Sequence, residues 1–350
     1  MFFLKTCLIY LPYCLSSILK NQITQDAGII YNMSIEETQK PQVIYVEITE
    51  DNCDQRLDNF LIARLKGVPK SRIYRLVRKG EVRVNKGRID VKYRLEAGDI
   101  VRIPPIRVAE RTEESFVPQG LQAALTNGIL FEDDGFIILN KPAGFAVHGG
   151  TGVSSGIIEG LRLLRPEARF LELVHRLDKD TSGCLLIAKK RSALRLLQAL
   201  FRNSEIQKTY KALLSGEWAR KKLIVTAPLL KNVSQGGERI VVISSAGKAA
   251  ETLFRRVQLY RNATLVEASP KTGRTHQIRV HAASLGHPIV GDDRYGVDEV
   301  NKVFKNKGYK RMFLHAETLT FKHPVTEELM RVTAPLPTQL AQLLNHEEIL

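Results

Sequence analysis

The sequence predicts an α+β protein in which a small ααβ unit precedes a larger, mostly antiparallel mixed sheet with flanking helices. Three observations lead there. The chain has 350 residues, about twice the usual length of one domain, so a large domain plus a small one is expected. Residues 56–79 carry two short helical periods, followed by short strands. From residue 129 to about residue 337 short apolar runs alternate with turn residues, the signature of sheet packed against helices. A composition of 44% hydrophobic and 25% charged residues excludes wholesale disorder, collagen-like and multi-span membrane classes. Cys7, Cys14, Cys53 and Cys184 show no CxxC spacing, which excludes a disulfide framework and suits a reducing compartment.

Residues 1–45 are expected to be an extension outside the core. The apolar stretch 2–19 is interrupted by Pro12, has Lys5 as its one early positive charge and lacks an A-x-A cleavage site, so it fits neither a signal peptide nor a membrane span. Ordinary soluble sequence begins at Met33, which is the expected true start. Residues 43–49 alternate as a strand. In residues 56–65, Leu57, Phe60, Leu61 and Leu65 share one helical face. Ser71 is placed to cap a second helix, residues 72–79, that buries Ile73, Leu76 and Val77, and Gly80 ends it. Residues 81–84, 91–95 and 100–103 are expected to be short strands, completing a unit over residues 46–107.

That unit concentrates the charge. The whole chain has 52 Lys and Arg against 37 Asp and Glu, a net charge of +15. Between residues 70 and 94 lie Lys70, Arg72, Arg75, Arg78, Lys79, Arg83, Lys86, Arg88, Lys92 and Arg94, opposed by Glu81 and Asp90 alone. A charge run is usually a solvated face. Ten bases spread over a helix and a hairpin point instead to phosphate binding by counterion release, and so to nucleic acid.

Residues 108–127 lose the strand pattern and are expected to link this unit to the next, at 128–337, with 338–350 as a tail. Two helices stand out in the larger unit, near 157–164 and 192–202.

Several chemistries are excluded by pattern. Gly149-Gly150-Thr151-Gly152 lacks the GK[ST] ending of a P-loop, and no HExxH or GxSxG occurs. His276, His281 and His287 are spaced by five and six residues, wrong for one helix face, so hydrogen bonding is expected of them and no metal site. The remaining candidate is HRLDKDTSG, residues 175–183. Asp, Thr, Ser and Gly are also what a plain hairpin connection needs. Yet Asp178 lies at a strand end beside Arg176 and Lys179, where neighbouring positive charge keeps a carboxylate ionised and nucleophilic. In KTGRTHQIRVH, residues 271–281, the alternation predicts a strand with Gln277, Arg279 and His281 on one face, able to bring Arg279 against that carboxylate. Lys141-Pro142 is expected to be a structural strand end stiffened by proline. Two other classes stay open from the residues alone: an RNA-binding module without chemistry, and a glycoside-type hydrolase pairing Asp178 with Asp180.

The stretches QRLDNFL, VPKSRIYRLVRKGEVRVNKGRI and LEAGDIVRIP resemble the S4 RNA-binding domain. HRLDKDTSG resembles the catalytic motif of the RluA-type RNA pseudouridine synthases, and LNKPAGFAVHGG, QKTYKALLSG and KTGRTHQIRVHAASLGHPIVGDDRYG resemble that family's other blocks in the same order. The resemblance spans about residues 46–337. It implies isomerisation of uridine to pseudouridine in RNA, foremost 23S ribosomal RNA, with no cofactor. By the same resemblance Asp178 is the nucleophile, and Tyr210 lies beneath the base as stacking platform and proton acceptor. Arg279 would pair with the carboxylate, and Arg176 would fill the gap left by the extruded nucleotide. Extrusion is physically required, because a stacked, paired uridine hides C1′ and C5. A cytoplasmic monomer with no membrane partner is expected.

Overall fold

The computed structural model describes residues 42–65, 67–106, 117–149, 156–235 and 238–346. Met33, the stretch 2–19 and the Gly150–Gly152 run lie outside those residues.

The basic unit is built on its own core. Strand β1 (Ile44–Glu47) pairs antiparallel with β3 (Ile100–Ile103), which pairs with the two-residue β2 (Arg83–Val84). Helices α1 (Leu57–Arg64) and α2 (Lys70–Arg78) cover this sheet, burying Leu57, Phe60, Leu61, Ile73, Leu76 and Val77 with Val101 and Ile103. The apolar spacing read from the sequence is therefore the buried face. Two local expectations are corrected. The N-cap position of α2 is Pro69, with Ser71 already inside the first turn and no side chain capping the helix. Residues 91–95 form no strand. Arg94 makes one isolated bridge to Arg56, and the segment is tied to α1 by backbone bonds such as Leu57 N–H to Tyr93 O. Gly80 ends α2 as expected, in the left-handed region at φ +72°.

The larger unit is one ten-stranded sheet with helices against it. In chain order its elements are α3 (Gln119–Asn127), β4 (Ile129–Glu132), β5 (Phe136–Lys141), α4 (Ile157–Leu164), β6 (Glu172–Leu173), β7 (Ser182–Ala188), α5 (Arg191–Arg202), β8 (Gln207–Ser215) and β9 (Lys222–Thr226). A hairpin β10 (Leu229–Gln235) and β11 (Glu238–Ile243) forms a separate two-stranded sheet. Then come β12 (Glu251–Tyr260), β13 (Ala263–Pro270), α6 (Gln277–Ser284), α7 (Asp298–Asn306), β14 (Leu314–Lys322), β15 (Leu329–Thr333) and α8 (Thr338–His346). The sheet order is β4-β5-β7-β14-β8-β13-β12-β9, with β6 added on β7 and β15 on β14. Every pair is antiparallel except β7 with β14.

Three expectations are corrected here. Residues 119–127, expected in a linker, are helix α3, because Leu121 and Leu125 bury against Ile157, Ile158 and Leu161 of α4. Residues 338–346, expected in a tail, are helix α8, whose Leu340 and Leu343 pack with Tyr260, Phe304 and Phe313. Residues 277–284, expected to be a strand, are helix α6.

Candidate active site

One row of paired residues crosses the middle of the sheet. Lys141 on β5 opposes Gly183 on β7, Gly183 opposes Ala316 on β14, Ala316 opposes Tyr210 on β8, and Tyr210 opposes Ala268 on β13. Both lateral neighbours of Tyr210 are alanines, so nothing large crowds its ring from the adjacent strands. Gly183 sits at φ +109°, and a Cβ there would collide with the carbonyl of Ala316. The glycine of HRLDKDTSG thus permits the close approach of β7 to β14.

Asp178 stands on the turn that feeds β7, where the Thr181 N–H donates to the Asp178 carbonyl at 3.2 Å. This turn is held from below by Lys141. Its side chain is fully buried, and its ammonium donates to the carbonyls of Pro142, Phe145 and Lys179 at 2.8, 2.8 and 2.9 Å. Burial pushes Lys141 down to about 7, while its three N–H groups each have a carbonyl acceptor, an arrangement that favours the charged form. Lys141 is structural, as expected, but it works as a clamp between two loops rather than only as a neighbour of proline.

Arg279 reaches Asp178 as expected, although from a helix. Its Nη1 donates to Asp178 Oδ2 at 3.3 Å. Its closer partner is one the sequence reading did not single out. Nε and Nη2 form a two-pronged pair with Asp292 at 2.7 and 2.8 Å. The Asp292 carboxylate also accepts the N–H groups of Arg294 and Tyr295, both at 3.0 Å. Burial by itself would lower the Arg279 guanidinium, but Asp292 and then Asp178 outweigh it and raise it. Burial would likewise raise the Asp292 carboxyl, and Arg279 overrides that and lowers it. The guanidinium is therefore a fixed cation whose Nη1, not used by Asp292, donates to Asp178.

Helix geometry separates the three residues expected on one strand face. Gln277 and His281, four apart, both bond Thr252 Oγ1 at 2.9 Å, whereas Arg279 projects toward the site. His276, His281 and His287 go to different partners: Tyr295, Thr252 with the Ala227 carbonyl, and the Ser215 carbonyl. Their expected hydrogen-bonding role is what the structure shows.

A small pocket of about 110 Å³ joins these groups, lined by Arg176, Asp178, Lys208, Tyr210, His276 and Arg279 among others. It is of the order of a single pyrimidine ring. Two open grooves flank it. One, of about 900 Å³, is lined by Arg176, Lys179, Arg202, Lys208, Lys231, Lys271 and Arg274, with Asp178 its one carboxylate. The other, of about 1150 Å³, holds Asp178 and Asp180 together with Lys141, Lys310 and Arg311. Asp180 lies exposed on the turn and is absent from the small pocket. Asp178 and Asp180 thus share the open groove, while Asp178 alone of the two lines the base-sized pocket. Burial and the negative charge of Asp178 push the Tyr210 phenol upward, so it is a neutral hydroxyl at pH 7.

The exposed bases of the smaller unit lie where the sequence placed them. Lys70, Arg72, Arg75, Arg78, Lys79, Arg83 and Lys86 are all on the surface. Lys70 lies 5.3 Å from the Tyr74 ring centroid, and Arg83 donates to the Gly80 carbonyl at 3.0 Å. Among the described residues no helix is long and apolar enough to cross a membrane.

Both units of the chain resemble known proteins. The family model described as RNA pseudouridylate synthase matches residues 135–284, and an S4 domain matches residues 55–101. Proteins named ribosomal large subunit pseudouridine synthase C are similar along most of the chain. Those from Yersinia pestis and Escherichia coli K12 are both 59% identical, over 88% of this chain and 97% and 98% of the relative. That from Haemophilus influenzae is 57% identical over 85% and 93%. Among solved structures, human RNA pseudouridylate synthase domain containing 1 superposes with a TM-score of 0.55 at 26% identity, covering 67% of this chain and 92% of its own. Human RNA pseudouridylate synthase domain containing 4 gives 0.54 at 28%, covering 65% and 95%. With Asp178 and Arg279 at the mouth of a base-sized pocket and these relatives along most of its length, the chain belongs to the RNA pseudouridylate synthase family, as an enzyme whose catalytic sheet follows an S4 domain.

Proposed function

We propose that this enzyme converts specific uridines of large-subunit (23S) ribosomal RNA to pseudouridine, with the S4 domain over residues 44–106 and the catalytic domain over 119–346. The observation that carries the chemistry is the Asp178 carboxylate facing Arg279 beside a pocket sized for one base, at the foot of a groove lined with seven basic side chains. The printed names of the relatives carry the choice of RNA.

In this reading the RNA backbone tracks the basic groove. The target uridine leaves its stack, at a cost of a few kcal/mol, and Arg176 enters the gap it leaves. Tyr210 supports the ring from below. Its neutral phenol favours the platform role over that of resident proton acceptor. Asp178 acts as the nucleophile that detaches uracil from C1′. The base turns within the pocket and rejoins C1′ through C5; the C5 proton leaves to solvent and N1, no longer bonded to C1′, takes one up, so the atoms balance. Arg279, fixed by Asp292, keeps Asp178 ionised and aimed. The isomerisation needs no redox change and no external group. We take the enzyme to act as a cytoplasmic monomer, the location being supported by ribosomal RNA as its substrate.

The test is tritium release from C5-labelled uridine in a 23S RNA fragment. Asp178→Asn keeps the shape and removes the nucleophile, so turnover should fall by about 10³-fold or more, with RNA binding retained. Full activity in this variant, or free uracil as product, would exclude the mechanism.

A further inference from the structure

The Asp178 carboxylate has two oxygens, and a different nitrogen-bearing side chain faces each. Arg279 Nη1 meets Oδ2 at 3.3 Å, and His276 Nε2 lies 3.8 Å from Oδ1. His276 precedes α6 in the left-handed region, at φ +54°, a conformation costly for a residue with a Cβ. Strain of this kind persists only where the surroundings enforce it, and here they do.

The other ring nitrogen, Nδ1, lies 2.8 Å from the Tyr295 hydroxyl. That hydroxyl accepts the backbone N–H of Val241 on β11 at 3.1 Å. The arrangement that also keeps a ring lone pair away from the Asp178 anion has the phenol donate its own hydrogen to His276 Nδ1. The hydrogen of the neutral ring is left on Nε2, facing the carboxylate. The opposite tautomer would set a ring lone pair against an anion. Burial lowers His276 below its ordinary value, in keeping with a neutral ring. The Tyr295 ring packs edge-on against His276, with centroids 5.5 Å apart, and lies 5.1 Å from the Arg279 guanidinium carbon. One tyrosine therefore braces both donors.

We propose that His276 is a positioning residue for Asp178: its Nε2–H, held in that tautomer by the relay Val241 N–H to Tyr295 hydroxyl to His276 Nδ1, fixes the second carboxylate oxygen while Arg279 fixes the first. The proposal rests on the reading of Asp178 as the nucleophile. The 3.8 Å separation is that of the free enzyme, and such bonds tighten when substrate closes the site. Aiming matters because an ångström of misplacement can cost about 10²-fold in rate.

The experiment measures kcat, KM, RNA affinity and melting temperature for four variants on the C5-tritiated RNA fragment. His276→Ala should lower kcat by about 10²-fold with KM and RNA affinity nearly unchanged. His276→Gln, whose amide can donate to the same oxygen without any tautomer to fix, should recover most of the rate. Tyr295→Phe should lower kcat in the His276 enzyme and add little when combined with His276→Gln. That non-additivity is the mark of the relay. Wild-type enzyme with normal turnover and a His276→Ala variant within about twofold of it would overturn the proposal while leaving the role of Asp178 intact. Equal losses of rate and melting temperature in His276→Ala and His276→Gln would overturn it too, by making His276 a packing residue. A wild type that releases no tritium would instead sink the underlying assignment.

Discussion

Helices α2 and α6 are nearly the same length and both carry arginines, yet they use them in opposite ways. In α2 every basic side chain is exposed, and the apolar residues Ile73, Leu76 and Val77 are buried beneath. In α6 the residues from Gln277 to Ala282 are all buried, and Arg279 is locked between two carboxylates. Charge on α2 can act additively and at a distance, through counterions and phosphates. Charge on α6 acts through one geometry, and removing either partner leaves a buried ion exposed to a low dielectric. In the proposed mechanism the enzyme thus separates holding its RNA from aiming Asp178, and perturbations of the two regions should have different signatures.

The largest contrast should come from the α6 pair. Arg279→Met should abolish activity and cost about 3–5 kcal/mol of stability, because Asp292 is left buried without its cation. Adding Asp292→Asn should recover much of the stability and none of the activity, as followed by urea unfolding alongside the tritium assay. If Asp178→Asn proved the better rescuer, Asp178 rather than Asp292 would be the principal partner, against the distances found here.

Acid should also tell the regions apart. All eight histidines lie outside residues 43–106. Burial pushes His315 down to about 4, and His175 likewise. Their folded values lie below the ordinary 6.5, so the unfolded chain binds more protons between about pH 6.5 and 4, and stability falls as pH drops through that window. Each contributes about 1.4 kcal/mol per pH unit there. Urea unfolding followed by Trp218, the chain's one tryptophan, should show a loss of about 4 kcal/mol between pH 7 and pH 5. His315→Gln should remove about half of that pH dependence; an unchanged drop would mean that His315 titrates normally.

On α2, replacing Arg72, Arg75 and Arg78 together with Gln should weaken RNA binding and flatten its salt dependence by about one slope unit per lost phosphate contact. kcat on a short RNA should be unchanged. A preserved slope would reduce the basic face to a solubility feature. The smallest effect should be that of Asp180→Asn, an exposed turn residue outside the base pocket, with activity within about twofold of wild type. A loss equal to that of Asp178→Asn would restore a paired-carboxylate mechanism.

What could be read from the chain alone follows the same division. Helix α2 was legible because one of its faces meets water, which writes a 3.6-residue period of apolar positions. The identity of Asp178 was legible because HRLDKDTSG is a local motif whose turn residues and glycine serve the same short segment. Helix α6 was not, since its polar residues are buried with partners and leave no solvent face. Gln-Ile-Arg-Val-His then alternates like a strand, although its backbone is helical. Helices α3 and α8 were missed for a related reason: two leucines each suffice to dock them, too few to mark a period. Asp292, Tyr295 and the Val241 N–H carry no signal of their own. Their meaning comes from packing that brings residues 178, 241, 276, 279 and 292 together. The sequence by itself marked Asp178, the arginine expected to meet it and the basic face, all written in local pattern. Only the tertiary structure decided which carboxylate holds that arginine and which histidine faces Asp178, because buried charges choose partners by distance in space.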